Sequence, residues 1–316
     1  MTALNKYALL VPCYNAVPYI NNFINTLAQL KVPFNEIIFY DDGSTDATVS
    51  LLSAKGFRVI EGKVNKGPGY ARNRLAEAAT CDYIHFHDID DEFNAGFLEM
   101  TEKKLSAAPA DVVLGYADWI DPVSRAAIIK WRYSEDEIAE GPLAYFMSHP
   151  LGVINTVYKR SSFLQTGGFN EQIKCWEDTD LHIRMAAAGS VFRVIKEVMA
   201  YSLRHDHGIS RDQALCWHCR LRFLERYLEA YRHLISRTIF ETELEKVKNA
   251  FIRMRAYRYL GELIRMKKKY GLELKTRNIS LLYGASRFLP KKLVDSIAAS
   301  VSLLKTRPLT IGRNHD

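Results

Sequence analysis

Along the N-terminal half of the chain, apolar residues recur with two different periods. Tyr7–Val11 is an unbroken run closed by Pro12, the pattern of a buried strand leading into a loop. Ile20, Phe23, Ile24, Leu27 and Leu30 then return at helical spacing, which predicts an amphipathic helix. Glu36–Tyr40 predicts a second strand, and the polar stretch Asp41–Asp46 its turn. Ser44, Thr45 and Asp46 are each suited to cap a helix through Leu51 and Leu52. Phe57–Ile60, Tyr70–Ala79 and Tyr83–His87 continue the series as strand, helix and strand. Such alternation predicts an α/β fold with a mostly parallel central sheet flanked by helices. Ligands of these sheets lie at the carboxyl ends of the strands.

The pattern changes near Ser210. Beyond it the periodicity is helical, with Leu215–Arg232, Glu241–Lys269 and Lys291–Lys305 as the predicted helices. Two regions are therefore expected, 1–210 and 211–316. Charge divides at the same place. Residues 1–210 carry 20 Lys and Arg against 26 Asp and Glu, a net charge of −6, whereas residues 211–316 carry 23 against 10, a net of +13. A basic region of this kind faces solvent, an anionic membrane surface or nucleic acid. On the last predicted helix Leu293, Val294, Ile297, Ala298, Val301 and Leu304 share one face, flanked by Lys291, Lys292 and Lys305. That face suits either a membrane surface or the core of a small helical bundle.

Composition narrows the class without deciding it. At 48% hydrophobic and 25% charged residues, the 316-residue chain is that of a globular protein, neither disordered nor fibrous. Its five cysteines are an odd number and read as reduced thiols. Cys216-Trp217-His218-Cys219 has a metal-like spacing but no second Cys/His pair at zinc-finger distance, so a plain helix is the expectation there. No run of about 18 apolar residues is present, no signal peptide is expected, and a cytoplasmic location is expected.

Candidate chemistry lies mainly in acids placed after strands. Asp41/Asp42 and Asp88/Asp90/Asp91 both follow predicted strands, so they should meet on one edge of the sheet. Carboxylates this dense repel one another unless a cation lies between them, and hard divalent ions take such oxygens together with substrate phosphates. Glu177-Asp178 opens a predicted helix, where acids either cap the helix or do chemistry. Asn65–Asn73 places Gly67 and Gly69 ahead of a helix, with Lys66 and Arg72 adding charge. It lacks the spacings of dinucleotide-binding and P-loop motifs. His205 and His207 follow the strand-like Val198–Ser202 and could add a metal ligand.

In this order the motifs resemble those of glycosyltransferase family 2, whose catalytic domain has the GT-A fold. The resemblance runs over most of residues 5–210. It begins at Leu10–Asn15 and continues through Ile37–Asp46, through Asn65, Gly67, Ala71, Arg72 and Asn73, and through Asp88-Ile89-Asp90-Asp91. Gly167–Glu171 followed by Glu177-Asp178 completes it. The resemblance implies a nucleotide site formed by Pro12, Tyr14, Asp41, Asp42, Arg72 and Asp88, with Asp42 reading the base, most often uracil. It implies a divalent metal, Mn²⁺ or Mg²⁺, held by Asp90 and Asp88, with His205 as the ligand some members add. Asp178 would be the general base, with Glu177 positioning it or the acceptor.

The implied reaction is inverting, metal-dependent transfer of a hexosyl or N-acetylhexosaminyl group. The donor would be a nucleotide sugar, typically a UDP-sugar, and the acceptor a glycan or lipid-linked hydroxyl. The natural context is surface polysaccharide or lipopolysaccharide synthesis, with peripheral contact at the inner face of a membrane. A sugar-phosphate nucleotidyltransferase would share the architecture and the metal but lacks the Glu177-Asp178 segment. A nucleic-acid-binding protein would leave the clustered acids unexplained, and no nucleic-acid partner is expected.

Overall fold

The computed structural model describes residues 5–204, 212–274 and 279–300. They form two compact units that part between Arg204 and Asp212.

The first unit is built on one sheet. Its opening series is β1 (Tyr7–Cys13), α1 (Val17–Ala28), β2 (Glu36–Asp41), α2 (Thr48–Ala54), β3 (Arg58–Glu61), α3 (Pro68–Ala78) and β4 (Tyr83–Phe86). These are the predicted elements, each with its ends moved by a few residues. The short β5 (Glu92–Phe93), α4 (Phe97–Ala107), the long β6 (Val112–Ile120) and β7 (Ala127–Trp131) follow. The segment 131–151 holds two short helices, α5 (Glu135–Glu140) and α6 (Pro142–Ser148). The unit closes with β8 (Thr156–Lys159), α7 (Arg160–Gln165), α8 (Glu177–Ala187) and β9 (Phe192–Leu203).

The strands are ordered β3-β2-β1-β4-β8-β6-β9-β5, with β7 on β6. From β3 to β4 all pairings are parallel. β8 is antiparallel to both β4 and β6, so β6 and its parallel neighbour β9 run the same way as β1. Six of the nine strands thus share one direction, and the reversed ones are β5, β7 and β8. Leu9, Val11, Phe23, Phe39, Phe97, Val113, Val157 and Met199 belong to one buried cluster. That burial is the driving force for closing helices onto the sheet.

Register aligns the strand ends that matter. Cys13 pairs with Asp41, and the Asp42 amide donates to Cys13 O at 2.8 Å. The His87 amide donates to Leu10 O at 3.1 Å as the chain leaves β4, so Asp88 emerges on the edge where β1 and β2 end.

The second unit is helical: α9 (Gln213–Tyr231), α10 (Arg237–Arg253), α11 (Leu260–Tyr270), α12 (Ile279–Phe288) and α13 (Lys291–Ser300). The single helix expected over Glu241–Lys269 is two. Arg255 adopts φ +56°, the Ala256 amide closes back onto Phe251 O at 2.8 Å, and a 3-10 turn at Tyr257–Tyr259 precedes α11. Left-handed helix ends usually recruit glycine, and an arginine there leaves no compositional cue. Leu221, Leu224, Phe240, Val247, Phe251, Leu260 and Leu263 are buried, and Arg220 meets Glu243 at 2.9 Å within that interior. Val294 and Ala298 are also buried, so the α13 face that could have met a membrane is turned inward at these two positions. Val301, Leu304 and Lys305 lie outside the described residues. Cys216 and Cys219 sit on α9, and His218 between them pairs with Glu262 at 3.1 Å. No helix among the described residues is long and apolar enough to cross a membrane.

A close approach between β6 and β9 supplies a test of the sheet. The β6–β9 register shifts at Gly115/Tyr116, and Asn155 covers the irregularity: its Nδ2 donates to Gly115 O at 2.6 Å. A Cβ at Gly115 would stand 2.8 Å from Met199 Cβ and nearer still to its Sδ. Met199 is fully buried and has nowhere to retreat. Gly115→Ala should therefore cost about 1–3 kcal/mol of stability, the usual penalty of overpacking. Urea unfolding measures it, and an unchanged midpoint would mean that the strands separate freely there.

Candidate active site

The loops after β1 and β2 are bound to each other. Asn15 takes φ +50°; its amide donates to Ser44 Oγ at 2.8 Å, and its Oδ1 accepts from the Thr45 amide at 2.9 Å. The Ala16 amide donates to Thr48 Oγ1 at 2.8 Å, and Asp46 accepts from the Thr48 amide at 3.0 Å as α2 begins. Asp41 is buried and folds its Oδ2 over its own turn, accepting from Ser44 N at 2.9 Å. Gly43 makes that turn possible. Its φ is +80°, and a Cβ would meet the Val64 carbonyl carbon at 2.9 Å. Pro12 lies in β1 opposite Tyr40, and Tyr14 projects from the loop with its side chain exposed.

Asp42 reaches further. Its carboxylate accepts from the Lys66 amide at 2.9 and 3.1 Å and from the Gly67 amide at 2.7 Å, the two residues that lead into α3. It serves as a cap borrowed from another loop, because α3 has Gly67 at its N-cap and no side-chain cap of its own. Burial pushes the Asp42 carboxyl up, and these two amides pull it back.

The second acid group follows β4. Asp88 and Asp90 are half-buried, whereas Asp91 is buried and accepts from the Leu203 amide at the end of β9 at 2.9 Å. Burial, with the charges of Asp90 and Asp88 next, holds the Asp91 carboxyl well above the usual carboxylate range. Beneath them His85 and His87 are buried and joined Nε2 to Nδ1 at 3.1 Å, with His85 Nδ1 on Thr156 O at 2.8 Å. Burial pushes His85 down to about 4 and His87 well below the usual imidazole value, so both are neutral at physiological pH.

Arg72, on α3, joins this group to the third. Its side chain is only 6% exposed; NH2 meets Asp88 Oδ1 at 2.8 Å and NH1 meets Glu177 Oε1 at 3.0 Å. The guanidinium lies 5.5 Å from the Phe169 ring centroid. Burial alone would lower its proton affinity, but the charges of Asp88 and Glu177 outweigh burial and raise it. Glu177 and Asp178 open α8 as predicted, preceded by Trp176 in the left-handed region at φ +72°. A bulky residue held there stores strain, a frequent mark of functional sites. Burial, then the Glu177 charge, pushes the Asp178 carboxyl up to about 7, against the pull of the Thr179 amide at 2.7 Å and of Arg72.

The three acid groups singled out from sequence are therefore linked through α3, with Asp42 at its start and Arg72 a turn later. His205, and His207 with it, lies outside the described residues. Among the described residues no three His, Cys, Asp or Glu side chains form a ready-made metal cage. The acids nevertheless fit a hard divalent ion of the kind that takes one or two carboxylates and completes its shell with water and substrate oxygens. Asp88 and Asp90 are the partly exposed members, and Asp91, whose carboxyl is held up by burial and then by their charges, lies beside them.

Several contributors were given no role from the sequence. Asn73 holds the Gly167-Gly168 turn: Nδ2 donates to Phe169 O at 2.9 Å and Oδ1 accepts from Phe169 N at 2.8 Å. Arg184 ties the same turn to α8, donating to Thr166 O at 2.8 Å and Gly168 O at 2.6 Å. Tyr158, whose hydroxyl meets His182 Nε2 at 2.8 Å, and Tyr133 are buried within reach of the Asp178 charge, which helps burial push both phenols up. The positive φ of Gly167 and Gly168 could have marked the turn, but nothing in the sequence pairs it with Asn73. A cavity of about 540 Å³ adjoins this turn, lined by Arg74, Glu77, Phe163 and Glu171 among others and by none of the three acid groups.

Comparison with known proteins gives the arrangement its context. The family model described as glycosyl transferase family 2 matches residues 8–167, just over half of the chain; Glu177 and Asp178 lie beyond the matched segment. A processive diacylglycerol beta-glycosyltransferase of Mycoplasma genitalium is 33% identical over 94 residues, 28% of each chain. The poly(ribitol-phosphate) beta-N-acetylglucosaminyltransferase TarS of Staphylococcus aureus is 30% identical over 116 residues, 34% of this chain and 20% of that one. These matches span less than two fifths of the curated relatives' length. In solved structures, S. aureus TarS 1–349 in complex with UDP-GlcNAc superimposes with a TM-score of 0.57 at 18% identity, covering 94% of this chain and 91% of that one. The mannosyltransferase PcManGT of Pyrobaculum calidifontis, in complex with GDP-Man and Mn²⁺, gives 0.54 at 16% identity, covering 96% and 82%. At such identities the likeness is one of fold, and the fold is GT-A. With the family match over just over half of its length and this architecture around its acids, the chain belongs to glycosyltransferase family 2.

Proposed function

We propose that residues 1–210 form the catalytic domain and transfer a hexosyl or N-acetylhexosaminyl group from a nucleoside diphosphate sugar to an acceptor hydroxyl, with inversion. The observation that supports this reading is the bridge of Arg72 between Asp88 and Glu177, which joins two of the acid groups through one buried guanidinium. On this reading the nucleotide lies over the ends of β1 and β2. Asp42 Oδ1 accepts one amide only, leaving a lone pair for the imide N–H of uracil, and the exposed Tyr14 ring can stack on the base. Pro12, Asp41 and Arg72 shape the rest of that pocket, and Asp88 meets the ribose. Asp88 and Asp90 would hold Mn²⁺ or Mg²⁺, with His205 as a possible third ligand from the family resemblance. Such an ion, when bound, neutralises the charge that builds on the departing nucleoside diphosphate.

Asp178 accepts the proton of the attacking hydroxyl. Held up to about 7, it is a better base than an ordinary carboxylate, yet still ionised in good part at neutral pH. Glu177, fixed by Arg72, orients it. A single base opposite the leaving group gives in-line attack and hence inversion. The relatives' names, which include diacylglycerol, poly(ribitol phosphate) and teichuronic acid, support a glycan or lipid-linked acceptor and a place in surface polysaccharide, lipopolysaccharide or related glycoconjugate assembly on the cytoplasmic side. A screen of nucleotide sugars with Mn²⁺, read by release of nucleoside diphosphate, tests the reading. Formation of a nucleotide sugar from a sugar phosphate would replace it with nucleotidyl transfer.

The pH dependence has a definite sign. Because Asp178 must be ionised to act, kcat should fall by about tenfold per pH unit below about 7. Between the ordinary carboxyl value of 3.8 and about 7 the folded state holds a proton that the unfolded chain has released, so this residue's contribution to stability declines as pH rises through that window. Asp178→Asn should lose turnover by about 10²–10⁴-fold while keeping donor affinity. Near-normal transfer by that variant removes Asp178 from the base position.

Arg72→Gln leaves Asp88 and Glu177 facing each other without their shared cation. A cost on the order of 2 kcal/mol in stability is expected, below that of a fully buried pair because the Asp88 side chain is 37% exposed. The acid limb of the rate profile should also move to higher pH, since Arg72 lowers the proton affinity of Asp178. An unmoved limb would uncouple the two groups.

For Asp90→Ala, calorimetry should show nucleoside diphosphate binding that no longer responds to Mn²⁺. A metal response equal to that of the unaltered chain would take Asp90 out of the ligand set.

A further inference from the structure

The second unit carries an unusual corner. Between α12 and α13, residues 287–293 are all exposed, and they read Arg-Phe-Leu-Pro-Lys-Lys-Leu. Phe288 is 79% exposed, Leu293 50% and Leu289 38%. Both arms of the corner are anchored on the unit itself. Leu282 and Ile279 on one side, Val294 and Ala298 on the other, are buried, and Tyr283 packs so tightly on Gly261 that a Cβ there would stand 2.5 Å from the ring. The tip is therefore held out by a packed base.

Its chemistry is one-sided. Arg287, Lys291 and Lys292 flank the three apolar side chains, and no acid occurs from residue 279 to 294. The next acid along, Asp295, is already engaged by Tyr257 at 2.9 Å and Arg255 at 3.0 Å. Arg287 lies beside the Phe288 ring, 5.5 Å from its centroid, so the cation and the apolar tip present themselves together. Residues 211–316 as a whole carry a net charge of +13.

We propose that this corner docks on an anionic lipid bilayer, with Phe288, Leu289 and Leu293 below the headgroups and Arg287, Lys291 and Lys292 on the lipid phosphates. Shape and charge favour a bilayer over a protein partner. A stable protein interface engages about 20–30 residues a side, which a narrow seven-residue corner does not offer. A bilayer accepts a convex wedge of any width, and basic residues around inserted aromatic and aliphatic side chains are what holds such wedges on anionic surfaces. The α13 face singled out from sequence is not the contact at Val294 and Ala298, since these are spent on the unit's own core. The proposal goes beyond the transfer reaction and stands without it.

The test is co-sedimentation of the full chain with vesicles of phosphatidylcholine alone and of phosphatidylcholine mixed with phosphatidylglycerol. The unaltered chain should pellet with the mixed vesicles and far less with the neutral ones. Phe288→Ser/Leu289→Ser, both at exposed positions, should lower partitioning onto the mixed vesicles by about tenfold or more, from the apolar area withheld. Lys291→Glu/Lys292→Glu should lower it by about fivefold or more per position on mixed vesicles and leave the neutral ones unaffected. Circular dichroism and nucleotide binding confirm that each variant is folded. Failure of the full chain to bind mixed vesicles, or equal binding by the serine variant, overturns the proposal. So does light scattering that shows a dimer converted to monomer by the serine variant with lipid binding unchanged, because the occupant would then be a second copy of the chain.

Discussion

A guanidinium buried among carboxylates organises the first unit. Arg72 loses most of its hydration on α3, and an arginine does so only where anions replace the water. Asp88 and Glu177 are those anions, and they lie 89 positions apart in the chain, at the end of β4 and at the start of α8. The fold has to deliver both to one point before the arginine can be buried. Its planar fork then fixes the two carboxylates at a set distance from one another. A lysine ammonium lacks that rigid fork and would not fix their geometry in the same way.

The same helix is governed from its other end. Asp42 binds the amides of Lys66 and Gly67, so the start of α3 is set by the end of β2, and β2 is set by its parallel register with β1. The Asn15–Thr45 and Ala16–Thr48 bonds close the neighbouring loops into one rigid rim. On the far side Asn73 and Arg184 fasten the Gly167-Gly168 turn to α3 and α8. The acids thus sit on a frame whose parts are each held by backbone groups, the preorganisation on which electrostatic catalysis depends.

Much of this was legible locally and little of it globally. The β–α series from Tyr7 to Phe86 follows from hydrophobic periodicity, because burial of a strand or a helix face leaves its period in the sequence. Acids after strands could be placed on one edge by the rule for α/β sheets alone. Periodicity says nothing of which strand lies beside which, so the reversed β8 between β4 and β6 had no sequence signature. Long-range caps are equally silent: Asp42 looks like any turn acid until Lys66 and Gly67 are seen against it. The break at Arg255 was hidden because an arginine occupies a conformation that glycine would have announced. Two short helices within 131–151 escaped notice for want of length, each offering less than two turns of pattern.

The borrowed cap on α3 has an evolutionary consequence. A side chain that fastens one loop to another cannot be exchanged without loosening both. A replacement at position 42 without an acceptor there would release the amides of residues 66 and 67, where α3 begins and from which Arg72 extends. Change along this edge falls more easily on neighbours such as Tyr14 and Val64, whose side chains are exposed.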